Sequence, residues 1–255
     1  WPGVLALLLV LGLGGVAGWQ WREVDRLQGD LARLRDQAAQ ERADDRARLA
    51  TLERRAAALE KQAGEVFNPQ AVAAAVVPSV FRVRAGQVTG TAFVVARPGG
   101  GQGTHLLTNY HVVQEVWESG GRQVVLERRD QRFNARIVSA NEANDVVHLS
   151  VAAEFPGLAT TAEPVKSGQQ IIVVGAPLGL EDTVTTGVVS AYRKIPDFPG
   201  TMIQFDASIN PGNSGGPVIN GAKQVVGIAT AKQRDADGIG LAIPVKTACD
   251  LFDAC

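Results

Sequence analysis

Ser214 lies in INPGNSGGPVIN, residues 209–220, where glycines and a proline surround a single hydroxyl. A serine hydroxyl is a weak nucleophile until a general base sits beside it. Attack on a carbonyl also needs backbone N–H groups aimed at the oxygen that becomes negative. Side chains just before the nucleophile would crowd that hole, and glycine removes them while permitting unusual dihedrals. PGNSGGP therefore reads as a nucleophile loop, with the N–H groups of Gly212 and Ser214, and Asn213 between them, as the oxyanion-hole candidates. A glycine-rich hairpin turn is the alternative for this stretch taken alone.

The nucleophile reading demands a histidine and a carboxylate elsewhere. The chain has three histidines, and His111 in HLLTNYHVV stands where an apolar strand runs into a short helical turn, at a cleft mouth rather than in a core. Asp145 in NEANDVVHLSV opens another apolar strand after a polar turn. A carboxylate there can accept the Nδ1–H of His111, fix its tautomer and stabilise the imidazolium. The predicted catalytic set is His111, Asp145 and Ser214. His148, three residues beyond Asp145 on the strand, should point to the opposite face and reads as structural. His105, beside the RPGGGQGT loop, is expected to face solvent.

These residues need strands to carry them. From about Asn68 onward, short β-branched runs alternate with turn signals: VFRVRA, TAFVVA, QVVLERR, ARIVSA, VVHLSVA, QIIVVGA, TTGVVSAY, MIQFDA, PVIN and QVVGIATA. Such spacing predicts an all-β sandwich or barrel. Helical period is expected only just after His111 and in the terminal VKTACDLF. The segment 68–255 is long enough for a sizeable core or for two small packed barrels.

Two different regions precede it. Residues 1–19 carry no charge, with Trp19 and Trp21 at one end. A membrane span needs about 20 apolar residues, and Trp favours the interface. Segment 1–21 is thus expected to be a transmembrane anchor, a cleaved signal segment being the alternative. Residues 22–67 contain no proline and are rich in Arg, Glu, Asp, Ala and Leu. Val24, Leu27, Leu31, Leu34 and Ala38, then Leu49, Leu52, Ala56, Leu59, Ala63 and Val66, follow a 3–4 spacing. That is a heptad seam, interrupted by a polar middle. It predicts a helical coiled-coil stalk, with a solvated single helix or a partly disordered linker as the alternative.

The formal net charge is −1, with basic residues dispersed, so nucleic acid is not an expected partner. Cys249 and Cys255 form no CxxC, and no Cys/His set has zinc spacing, so neither metal nor cofactor is expected. A terminal disulfide and two free thiols both fit.

Thr108-Asn109-Tyr110-His111 followed by Val112-Val113 resembles the TAAHC and TNxHV strings of chymotrypsin-like serine peptidases. The order His, Asp, Ser is also theirs. Residues 70–250 resemble the HtrA/Deg family of these peptidases in VVPSVFRV, TGTAFVV, LLTNYHVV, NDVVHLSV, VVGAPLGL, VTTGVVSAY, IQFDASINPGNSGGPVIN, VVGIATA and GIGLAIPVKT. The resemblance implies two six-stranded antiparallel β-barrels with the active site between them. It implies trimers, an extracytoplasmic or organellar location, and cleavage of unfolded or damaged proteins after small apolar residues. The strand Gly227-Ile228-Ala229-Thr230 is expected to line the substrate cleft, with loops 193–200 and 231–238 flanking it. Two features depart from the family: no PDZ-like segment follows AIPVKT, and Ala92 stands where a glycine is common. The expected protein is a membrane-tethered, self-associating serine endopeptidase acting on polypeptides. A catalytically silent binding or chaperone module, and a peptidase cutting after Glu, are the alternatives.

Overall fold

The computed structural model describes residues 2–65, 67–97, 103–176, 182–196, 198–232 and 238–255, with side chains not described at 2–18, 57–65 and 231–232. Two units follow each other, Trp1–Glu65 and Val66–Cys255.

The first unit is one helix, α1 (Pro2–Glu65). At 1.5 Å per residue it is about 96 Å long. Val24, Leu27, Leu31, Leu34, Leu49 and Leu52 are all more than half exposed along it. Most of the anchor expected over 1–21 lies outside the residues with described side chains. Among the described residues no helix is long and apolar enough to cross a membrane.

The second unit opens with α2 (Pro69–Val76), a helix that the strand pattern conceals. Its signal is local: the Asn68 side chain accepts from Ala71 N at 3.0 Å, and Pro69 takes the first turn, where no donor is missed. A single 3-10 turn, Val77–Ser79, leads into the strands. The first barrel contains β1 (Val80–Ala85), β2 (Val88–Val94), β3 (Thr104–Thr108), β4 (Gln123–Arg128), β5 (Gln131–Asn141) and β6 (Val146–Val151). It closes in the order β1-β2-β3-β6-β5-β4. Helix α3 (Tyr110–Glu118) links β3 to β4 and begins one residue before His111 rather than after it. The second barrel contains β7 (Gln170–Gly175), β8 (Thr183–Lys194), β9 (Thr201–Phe205), β10 (Pro217–Asn220), β11 (Val225–Lys232) and β12 (Gly240–Pro244). It closes as β10-β11-β12-β9-β8-β7. Helix α4 (Val245–Phe252) ends the fold.

Side chains alternate across each strand, and this sorts the apolar residues into three cores. Phe81, Val83, Leu106, Leu126, Ile137 and Leu149 fill the first barrel. Ile171, Val173, Ile203, Phe205, Val218 and Val226 fill the second. Their neighbours Val146, Ile172, Val174, Ile219, Ile228 and Ile243 point the other way, into a seam shared with Val72 and Val76 of α2 and Val245 and Ala248 of α4. Strands such as QIIVVG are continuously apolar because both faces are covered. Each fully buried aliphatic side chain contributes about 1.5–3 kcal/mol.

His148 occupies a seam-facing position and is 6% exposed. His105, expected to face solvent, is half-buried, and its Nδ1 lies 2.8 Å from His148 Nε2. The neighbouring β3–β6 pairing sets Leu107 against His148 and His105 against Ser150, which brings the two rings together. Phe252 of α4 stacks on His148 with centroids 5.9 Å apart. The disulfide Cys249–Cys255 closes the end of α4, so of the two cysteine readings the structure has the bonded one.

Candidate active site

Asp145 reaches its position through the turn between β5 and β6. Asn141 Oδ1 accepts from Asn144 N at 2.9 Å, and Asp145 N donates to Glu142 O at 2.9 Å. Asp145 itself has φ +50°, a conformation that Asp tolerates better than most side chains. The wholly buried Asn109 holds the same turn from β3, its Nδ2 donating to Asp145 O at 2.8 Å.

The carboxylate meets three donors. His111 Nδ1 lies 2.9 Å from Oδ2 and 3.0 Å from Oδ1. The backbone N–H of His111, at the start of α3, donates to Oδ1 at 2.9 Å. A carboxylate is favoured there because the first N–H groups of a helix lack internal partners. Thr230 Oγ1 donates to Oδ2 at 2.5 Å, joining the second barrel to the first. An ionised Asp145 therefore orients His111 with its proton on Nδ1, leaving Nε2 as the basic atom.

Thr230 is available because β11 bulges there. Ala229 pairs with Ala242 and Ala231 with Leu241, so Thr230 is the extra residue. A bulge re-aims its residue out of the ladder. The Thr230 carbonyl accepts the Ser214 hydroxyl at 3.2 Å.

The nucleophile loop is set by its backbone. Asn213 N donates to Asn210 O at 3.0 Å, and Gly216 N to Asn213 O at 2.9 Å. Gly212 has φ +102° and Gly215 φ +85°. A Cβ on Gly215 would lie 2.1 Å from Thr91 O, so no other residue fits. Of the three oxyanion-hole candidates, Asn213 has its N–H in the turn. The N–H groups of Gly212 and Ser214 have no partner among the described residues.

The expected substrate strand divides in two. Ile228 is wholly buried, and Gly227 packs under Ile243 and Ala242. Ala229 exchanges both backbone bonds with Gly215 and Gly216, at 2.8 Å each. Thr230 alone of the four is bonded to Ser214 and Asp145. A depression of about 230 Å³ opens beside the loop, lined by Ala207, Ser208, Ile209, Asn210, Gly238, Ile239 and Gly240. Residues 197 and 233–237 of the expected flanking loops lie outside the described residues. A larger depression, about 510 Å³ between Pro78, Arg128 and Asp182, holds no triad residue. Among the described residues no three His, Cys, Asp or Glu side chains are grouped to hold a metal.

Thr91, Thr108 and Asn109 lie within the strings TGTAFVV and LLTNYHVV, which give their side chains no role of their own. Their side chains act on backbone groups, which composition and spacing do not reveal.

The family model described as "Trypsin-like peptidase domain" matches residues 90–228, more than half of the chain and all of the triad. The chain belongs to the trypsin-like peptidases. HhoA of Synechocystis sp. is 38% identical to this peptidase over 183 residues, 68% of this chain and 43% of HhoA. A DegP-like protein of Chlamydia trachomatis, described as a periplasmic serine endoprotease, is 37% identical over 175 residues, 65% of this chain and 33% of that protein. The chain thus spans well under half the length of these relatives. The crystal structure of a serine endoprotease from Yersinia pestis superposes with a TM-score of 0.63 at 26% identity, covering 73% of this chain and 65% of the other. The HtrA/Deg resemblance and the two-barrel fold expected from sequence agree with these matches.

Proposed function

We propose that this trypsin-like peptidase is a serine endopeptidase that hydrolyses polypeptides through an acyl-enzyme. The observation that carries the reading is the Asp145 carboxylate, bonded at once to His111 Nδ1 and to Thr230, whose carbonyl holds the Ser214 hydroxyl. Ser214 Oγ attacks the peptide carbonyl carbon while His111 Nε2 takes its proton. Asp145 stabilises the resulting imidazolium. The N–H groups of Gly212 and Ser214 receive the oxyanion. His111 then protonates the departing amine, and a water molecule deprotonated by His111 releases the acyl group from Ser214.

The depression beside the loop suits the side chain before the cut. Its described lining, which includes Ile209 and Ile239, carries no charge, which favours a small apolar side chain over Glu. The expected role of the strand around Thr230 is to pair with an extended chain, a mode that suits unfolded substrates. The exposed apolar stripe on α1 supports self-association through residues 22–67, and residues 68–255 make up the peptidase domain. Trimers remain the family-based choice. The uncharged segment 1–19 supports a membrane anchor, and the periplasmic description of the Chlamydia relative supports an extracytoplasmic catalytic domain.

The test is hydrolysis of reduced casein by the chain and by Ser214→Ala, with product termini read by mass spectrometry. Cleavage after small apolar residues, absent in the variant, is expected. Cleavage that persists in Ser214→Ala would remove Ser214 from the reaction.

A further inference from the structure

We infer that Thr91 is the positioning residue of the oxyanion hole, acting from the first barrel on the nucleophile loop of the second. The inference rests on the endopeptidase reading above. Thr91, on β2, is wholly buried and makes four hydrogen bonds, only one of them to its own barrel. Its N–H donates to Ser214 O at 2.8 Å. Its hydroxyl donates to Gly212 O at 2.7 Å and accepts from Ala176 N at 3.1 Å. Its carbonyl accepts the Thr108 hydroxyl at 2.6 Å, on the strand that leads to His111.

A trans peptide carries its N–H opposite its C=O, so holding a carbonyl aims the amide of the next residue the other way. Three successive planes of the loop are held in this manner. Gly212 C=O is held by the Thr91 hydroxyl, Asn213 C=O by Gly216 N, and Ser214 C=O by Thr91 N. The second fixes the direction of the Ser214 N–H. The first fixes the far side of Gly212, a glycine at φ +102° whose rotation would otherwise be cheap. With Gly212 C=O released, that carbonyl can swing toward the hole and present an acceptor where a donor is required.

The hydroxyl is the only Thr91 group that a substitution removes cleanly. Valine keeps the shape and deletes both hydroxyl bonds; serine keeps the bonds and deletes a methyl. The full chain, Thr91→Val and Thr91→Ser are compared on fluorescein-labelled reduced casein, with amide exchange of residues 207–217 followed in parallel. In Thr91→Val, kcat is expected to fall about 100-fold, the scale of a lost oxyanion donor. KM is expected to stay within about twofold, because ground-state binding is untouched. Exchange at Asn213 should quicken about tenfold or more while strands distant from the loop keep their protection. Thr91→Ser should stay within about threefold of the parent in kcat.

A Thr91→Val chain with near-parental kcat, or with its whole loss in KM, overturns the assignment. So does a serine variant as impaired as the valine one, which would mark a packing role. Exchange needs no turnover and keeps the two readings separate. A parent chain that cleaves nothing counts against the endopeptidase reading. Unchanged Asn213 exchange in Thr91→Val still overturns the role of Thr91.

Discussion

At the scale of residues, the site is a chain of hydrogen bonds crossing from one barrel to the other, and Thr230 is its bridge. Its hydroxyl holds Asp145 and its carbonyl holds Ser214. A hydrogen bond to a charged group contributes about 1.5–3 kcal/mol. Thr230→Val should therefore lower kcat about 10- to 100-fold and also lower the thermal midpoint, because the lost bond joins the two barrels. An unchanged kcat would show that His111 alone suffices to hold Asp145. His111, Asp145 and Ser214 were legible in sequence as candidates because each lies in a short string whose chemistry is local. Thr91 and Thr230 were not legible as side-chain contributors. Their partners are a carboxylate and carbonyls distant in the chain, and a threonine in a strand looks like any β-branched residue.

At the scale of elements, β3 and β6 deliver His111 and Asp145, and the same two strands carry the His105–His148 pair. Burial, with His105 and Arg97 nearby, pushes His148 down to about 4 from 6.5. Burial and Arg97 hold His105 below its ordinary value as well. Asp253, the nearby acid, is ion-paired to Arg97 at 3.7 Å. A base whose pKa is lower folded than unfolded binds fewer protons in the native state. Stability is then full above about pH 6.5 and declines as pH falls toward about 4, by at most about 3 kcal/mol from His148. Urea unfolding at several pH values should show this loss, and His148→Leu should flatten it. An equal acid loss in His148→Leu would assign it to the carboxylates instead. The strands were readable from their β-branched runs, and α4 from its apolar spacing. Helix α2 was hidden because PQAVAAAV is apolar on every face, and only Asn68-Pro69 marks its start. The His pair was hidden because pairing register, not spacing along the chain, brings the rings together.

At the scale of the whole molecule, a long helix with an exposed apolar stripe precedes a two-barrel peptidase. Leu27 and Leu31 are 53% and 54% exposed, and a second helix would cover both. The full chain in detergent should sediment as an oligomer, and the double variant Leu27→Asp, Leu31→Asp should shift toward single chains. A parent chain that sediments as a monomer would leave the stripe without the proposed role. The all-β character was legible because turn signals recur at strand spacing, while the two-barrel architecture was legible only through the resemblance to the HtrA/Deg strings. The closure order was not, since it depends on which distant strands pair.

The central claim is that Ser214 is an activated nucleophile. The most direct measurement is covalent labelling of the full chain by a fluorophosphonate probe, with the modified residue located by mass spectrometry. The expected result is one adduct, on Ser214, lost in Ser214→Ala and reduced at least about 100-fold in His111→Ala. No adduct on the folded parent chain, or labelling that His111→Ala leaves unchanged, would contradict it.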